Sequence, residues 1–507
     1  MDSTPIPTSA LADLGHKPPA PTPAPAPAPA RSEARRAAAT LIIGLATALS
    51  CGLALKMPTQ LTANDISRYC TVWALLERGT YAIDDCPWQK DTQDKVRKPE
   101  PFSKITPAPE HFYSSKPPLL ATLIAGVLYP FRAISGVPLD AVIEQPRLER
   151  NVQKDDPAHP GTPISVKETP APVRWPAYVL YLKPVLVLFN IIPYLCVLTL
   201  YARLLDRYAA NDWAWFASLL AASFGTLLFV FNATLNNHTL AAYSAFFAIY
   251  ALITILDAPD GTSNPSQFAV VGFFGAFAAC QETPAALFGL LLAGFVLFKS
   301  PRLTLVAFTP AALVPLAAFF GTQYLAFGQF KLVYEEFGTK SYLYQGSYWE
   351  TPLEFDWFNL HPEPNWVYLF HLTLGHHGIF SLTPIFLFSL YACLVNTFAR
   401  NRPLRGVSAL TLVLTVVMVG FYTWNPKARN YGGTTNGLRW LFWLIPFWLV
   451  VLPTGLAGGR DRKLVRVLTV LALVISGLTV GYALRNPWSN PWTNDLLEHL
   501  NLYPLVR

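Results

Sequence analysis

"HFYSSKPPLLATLIAG", residues His111–Gly126, wedges Lys116 between small polar residues and a Pro-Pro pair, with a strongly apolar run directly after it. Whether that run crosses a membrane decides on which side every later loop lies. It is apolar over 118–130, only about 13 residues before Pro130, whereas a spanning helix needs about 20. Pro117 and Pro118 suit a helix start, where proline's missing N–H leaves no bond unmade. The stretch therefore predicts a short helix lying in the interface, or re-entering it, rather than passing through.

The surrounding chain has 507 residues, 52% of them hydrophobic and only 14% charged, against about a quarter charged in globular chains. Together with several apolar runs of about 20 residues, this predicts an all-α polytopic membrane protein with the lipid bilayer as its first partner. The formal charge of +7 does not point to nucleic acid. Most Lys and Arg stand in short clusters beside apolar runs, and no basic motif or stacking platform for bases is present. Residues 1–36, with "PTPAPAPAPA" at their centre, form a disordered Pro/Ala-rich tail. The run 37–56 then reads as a retained first helix rather than a cleaved signal peptide.

The remaining apolar runs are 176–202, 212–231, 239–256, 267–281, 282–299, 302–320, 378–398, 406–424, 438–453 and 464–484. Basic clusters stand at Arg31–Arg36, Arg203–Arg207, Lys299–Arg302, Arg400–Arg405 and Arg460–Arg466. If all five face the cytoplasm, an even number of crossings must separate consecutive clusters. That parity holds when 118–130 stays on the outer side and the polar "CQETP", Cys280–Pro284, splits 267–299 in two. The expected topology is about eleven transmembrane helices (range about 10–13). The N-terminus is cytoplasmic, and two large extracytoplasmic loops, 57–175 and 321–377, carry interfacial helices. Residues 37–320 form the main transmembrane module and 378–507 the C-terminal helices. Cys70 and Cys86 share the first loop, where an oxidising compartment would allow them to pair.

With this topology the out-of-place polar residues collect on one face. Asp65 and Arg68 in "TANDISRYC" share a helical face at i, i+3. The turn "FNATLNNHT" brings Asn237 and His238, and Gln281-Glu282 sets a carboxylate between apolar helices, where a charge is expensive. "LGHHGIF" offers His376 and His377, whose side chains diverge as neighbours and so do not by themselves make a metal pair. "NPKARNYGGTTNGLRW" carries Arg429, Tyr431 and Arg439. Basic residues on an external loop call for an anionic partner, and arginine can grip phosphate bidentately. Each of these groups also has a plain reading, as helix cap, solvated turn or snorkelling lysine.

Taken together, the retained first helix, the acidic residue just past it, "KPPLL" closing the first external loop, the short polar turn and "YGGTTNGLRW" resemble the GT-C glycosyltransferases. The nearest members are the protein O-mannosyltransferases and the aminoarabinose transferases of lipid A. The resemblance covers roughly 37–455, with "KPPL" its most specific piece. It implies transfer of a sugar from a polyprenyl-phosphate donor to a lipid, glycan or protein hydroxyl, with inversion, outside a bacterial cytoplasmic (inner) membrane. Asp65 matches the family's acidic residue and would act as base; Lys116 matches its phosphate-binding lysine. Arg68, Asn237, His238, Glu282, His376, His377, Arg429, Tyr431 and Arg439 would contact substrate.

The chain departs from the family at Asn64, which stands where an Asp-Glu pair is frequent. It departs again at Asn236-Asn237-His238, where an acid is usual, and at Ser115, where the aminoarabinose enzymes place a metal-binding glutamate. Each departure removes a metal ligand; a divalent metal cofactor would fall to His238 or Glu282. The competing readings are a transporter or flippase of lipid-linked saccharides and an O-antigen-ligase-like enzyme.

Overall fold

The computed structural model describes residues 32–58, 62–259, 262, 264–336, 339–347, 363–399, 402–425 and 430–502; the N-terminal tail through residue 31 and Arg429 lie outside them. Among the described residues, nine helices are long and apolar enough to cross a membrane by length and composition. Two shorter apolar helices, Thr283–Lys299 and Phe386–Phe398, accompany them. The first helix, α1 (Glu33–Lys56), is capped by the Ser32 side chain, which accepts from the Arg35 N–H. Its Leu41, Leu45, Leu49 and Leu55 are exposed, an arrangement that suits contact with lipid tails.

The expected break inside 267–299 is present. Helix Pro265–Gln281 ends at Glu282, which is extended at φ −131 and ψ 104, and a single turn at Thr283–Ala285 starts the next helix. Two other runs are interrupted where the sequence showed only apolar character. Run 212–231 breaks into Asp212–Phe224 and Leu228–Phe231, and run 378–398 breaks at Thr383-Pro384, because proline supplies no N–H to carry the helix on.

The expectation that 118–130 is too short to span is corrected. The helix α3 runs Pro118–Ser135, 18 residues, straight through Pro130. Its contacts, rather than its length, show how it lies. Helix His238–Asp257 has 20 residues, about 30 Å of rise, and so marks two ends of the bundle. At its Asp257 end, Arg207 pairs with Asp257 at 3.0 Å and Lys299 Nζ donates to Ala258 O at 3.1 Å. The Asp212 carboxylate, just past the Arg207 end of helix Tyr178–Tyr208, takes Arg35 Nε at 2.7 Å. Three of the basic clusters are thus gathered at one end.

Both tips of α3 lie at the other end. Lys116, just ahead of it, meets the polar turns beside His238, described below. At its far tip the Ser135 hydroxyl lies 2.7 Å from Tyr181 Oη, which donates to Val137 O at 2.7 Å. Tyr181 opens helix Tyr178–Tyr208, whose Lys183 Nζ reaches back to Ala54 O at 2.6 Å at the C-terminal end of α1. The amphipathic helix α2 (Ala63–Glu77) lies beside α3. Arg132 grips Glu77 bidentately at 2.7 and 2.8 Å, and the Leu139 N–H adds a third bond at 2.9 Å.

The all-α expectation also needs amending, since the first loop holds three two-stranded antiparallel sheets. β1 (Lys95–Pro99) pairs with β2 (Glu110–Ser114), β3 (Val142–Gln145) with β6 (Val173–Pro176), and β4 (Arg150–Asp156) with β5 (His159–Glu168). The insert of unknown role at 139–176 is therefore a β ribbon, mostly exposed. In the same loop Cys70 and Cys86 are buried neighbours not joined by a disulfide, the Cys86 thiol donating to the Cys70 sulfur at 2.7 Å.

The bundle core is built on large rings such as Trp215, Trp443 and Phe246. Helix Ile445–Leu456 packs on Phe386–Phe398 so closely that a Cβ at Gly455 would meet the Phe388 carbonyl oxygen at 2.1 Å. Small residues are what allow such approach between helices. Gly455→Ala is expected to cost about 1–3 kcal/mol by forcing them apart. Gly477→Ala, with nothing within 4 Å, should leave stability unchanged or slightly raised. Thermal unfolding of the two purified variants in detergent checks both.

Candidate active site

The first turn of α2 supplies Asp65, and Arg68 follows one turn later on the same face. Both are buried, at 1% and 4% exposure. Asp65 is thus an inward-facing residue inside the helix, not its N-cap. The β1–β2 hairpin is fastened to this turn. Thr92 Oγ1 donates to Ala63 O at 2.7 Å, Ser67 Oγ to Asp94 O at 2.5 Å, and Ser115 N to Asp94 O at 3.0 Å. That stitching sets Asp94 opposite Lys116, whose ammonium is 3.0 Å from the Asp94 carboxylate. Pro117 (φ −51, ψ 131) and Pro118 at the first position of α3 stiffen the backbone that carries the lysine.

From Arg68 a polar chain crosses to the helix turns. Arg68 Nη2 donates to Asn237 Oδ1. Asn237 Nδ2 donates in turn to Glu282 Oε1 and to Gln281 O, each at 2.7 Å. His238 Nδ1 touches the same Glu282 oxygen. Asn232 and Asn236, the other amides of that turn, serve structure. They bond Ser50, Tyr243, Phe231 and Thr234, with Asn190 bonding back to the turn. The polar "NNHT" therefore divides into capping residues and residues that reach the cluster.

Arg439 completes the group. It is half-buried, its guanidinium carbon lies 4.7 Å over the Trp488 ring, and its charge is felt with those of Asp94, Glu282 and Asp65. Gly432 and Gly433, at φ +91 and +77, make the left-handed turn that folds the loop back on the arginine stem, as only glycine does cheaply. Among the described residues Arg439 Nε is buried with no hydrogen-bond partner. Asp65, Arg68, Asp94, Lys116, Glu282 and Arg439 thus place three cations among three carboxylates.

Burial dominates the electrostatics. It draws Arg68 down to about 10 against the opposing charges of Asp65 and Asp94. It lowers Lys116 against Asp94, and it pushes Glu282, at the break between two helices, up to about 8 against Arg439 and Arg68. Desolvated charges of this kind are expensive and collect where a ligand or reaction uses them. A narrow cleft opens on the cluster. Arg68, Ser114 and Lys116 form its polar end, while Pro117, Pro118, Ala121, Ala326 and Phe327 form an apolar wall.

His376, His377 and Tyr431 belong to a second group. The Tyr431 ring stacks on Tyr368 at 4.5 Å and on His377 at 5.1 Å, and its phenol donates to Glu363. The His371 ring stacks on His376 at 4.0 Å. Burial carries His376 down to about 2 and His377 to about 3, so the imidazoles are neutral. The structure thus assembles Asp65, Arg68, Lys116, Asn237, His238, Glu282 and Arg439 in one place. It groups His376, His377 and Tyr431 beside them, joined through Gly432. Asp94, His371, Glu363 and Trp488 were not among the expected residues. Only His371, five residues before His376, carried a signal in its spacing.

Comparison with protein-family models, with curated proteins and with solved structures finds no match to this chain.

Proposed function

We propose that this protein is a membrane glycosyltransferase that moves a sugar from a polyprenyl-phosphate donor to an acceptor hydroxyl. The observation that carries the reading is the cleft itself: buried Arg68 and half-buried Lys116 at a polar end, an apolar wall of α3 and helix Pro301–Phe327 beside it, and Arg439 within reach of the same charges. A phosphate joined to an isoprenoid chain has that same division between charge and hydrocarbon.

In the proposed reaction Asp65 takes the proton of the acceptor hydroxyl. The oxygen attacks the anomeric carbon from the face opposite the phosphate, and the bond from that carbon to the phosphate oxygen breaks. Charge then builds on the departing lipid phosphate, where Arg68, Lys116 and Arg439 are already oriented to meet it. Glu282 and Asn237 hold Arg68 in line rather than touching the reacting atoms.

The same reading puts the basic end of the bundle in the cytoplasm by the positive-inside rule and the cluster on the outer face. α3 would then rest along the outer leaflet, which its two tips at one end of the bundle support.

The test uses protein in nanodiscs with a panel of polyprenyl-phosphate sugars labelled in the sugar. Transfer of label to an acceptor, with release of free polyprenyl phosphate, is the expected result. Intact donors, together with movement of lipid-linked saccharide across the bilayer of proteoliposomes, would establish a transporter instead.

A further inference from the structure

We propose that Glu363, His371 and His376 form a binding site for one divalent transition-metal ion, with zinc the best match to the donor set. Among the described residues this is the group whose ligand atoms, one from each side chain, all lie within 4.8 Å of one another. Helix Asn365–Thr373 carries His371 in its last turn, and the chain doubles back through Leu374 and Gly375. That turn lays the His376 imidazole flat on His371, with the planes 23° apart. Glu363 closes the set from ahead of the same helix.

Zinc bonds of about 2.0–2.2 Å place tetrahedral ligand atoms about 3.3 Å apart. The three donors therefore need to close by about 1.5 Å at most, a side-chain adjustment for a half-buried glutamate. Two imidazoles and one carboxylate are the donor set of a zinc site with one position left for water or a ligand.

The surroundings have the form that orients metal ligands. His376 Nδ1 lies 2.5 Å from His377 Nδ1, so the outer imidazole fixes the ring of the inner one. The Tyr431 phenol donates to the Glu363 carboxylate. Ligating histidines and carboxylates regularly have such partners on their second polar atom, and those partners set ring orientation and ligand basicity. The site does not depend on the sugar-transfer reading: it uses none of the residues given a role in the proposed reaction, and it makes His376 and Tyr431, expected from the sequence to contact substrate, parts of a metal site instead.

Metal content, not activity, tests it. Protein purified without a histidine tag is stripped with chelator, loaded with Zn²⁺, freed of excess and measured for zinc by mass spectrometry. A Co²⁺-loaded sample is followed by its visible spectrum. Wild type is expected to hold one equivalent, and cobalt should show the intense bands of a low-symmetry nitrogen-oxygen site. His376→Ala and Glu363→Gln should lose the bound metal, and Tyr431→Phe should weaken it about 10–100-fold. Size-exclusion and thermal-unfolding profiles identify any variant that misfolds, and Glu363→Gln conserves volume should His376→Ala do so. Wild type that retains no zinc, or a folded Glu363→Gln that retains a full equivalent, overturns the proposal.

Discussion

Asp65→Asn is expected to slow sugar transfer by about 10²–10⁴-fold, the usual contribution of a positioned general base, while leaving donor binding intact or tighter. The carboxylate is wholly buried on the first turn of α2, and the change removes its proton-accepting ability at nearly constant volume. It also removes a negative charge that favours the charged forms of Arg68 and Arg439. The cations then face an anionic donor with less competition. A base should therefore show a fall in kcat with no rise in the KM for donor. A purely structural carboxylate would instead lower the unfolding temperature and disturb both constants together. Steady-state kinetics beside thermal unfolding separates the two.

Arg439→Gln is expected to lower turnover by about 10²–10³-fold, the scale of losing one oriented donor to a developing negative charge. Arg439→Lys should recover only part of it. The ammonium keeps the charge but not the planar fork, and it cannot stack on Trp488 as the guanidinium does. The glutamine variant also leaves Asp94, Glu282 and Asp65 with one cation fewer, so its unfolding temperature should fall as well. The lysine variant, with charge retained, isolates the catalytic loss from the structural one.

Much of this arrangement was legible in the sequence, for identifiable reasons. Apolar runs of bilayer length have few alternatives to helix, so their positions followed from composition. Asp65 and Arg68 were visible because helical periodicity places i and i+3 on one face, and Gln281-Glu282 because a carboxylate between apolar helices is costly. Asp94 was not. It meets Lys116 only through the β1–β2 hairpin and its bonds to the first turn of α2, and nothing local marks a loop aspartate for that role. The length of α3 was misjudged at Pro130, which falls in the last two turns of a helix held by the Arg132–Glu77 pair. The ribbon at 139–176 was hidden because its strands are charged and mostly solvent-facing, leaving hardly any apolar alternation to read. His371 stands five residues before His376, but Glu363 joins the pair from a preceding loop, which no fixed spacing announces.

The sugar-transfer reading rests on a lipid-linked phosphate sitting among Arg68, Lys116 and Arg439. Native mass spectrometry of the purified protein with polyprenyl phosphate measures that directly. One lipid phosphate bound to wild type, and lost in Lys116→Ala and in Arg439→Gln while both stay folded, is the predicted result. No retained lipid phosphate in wild type, or equal occupancy in all three proteins, would contradict it.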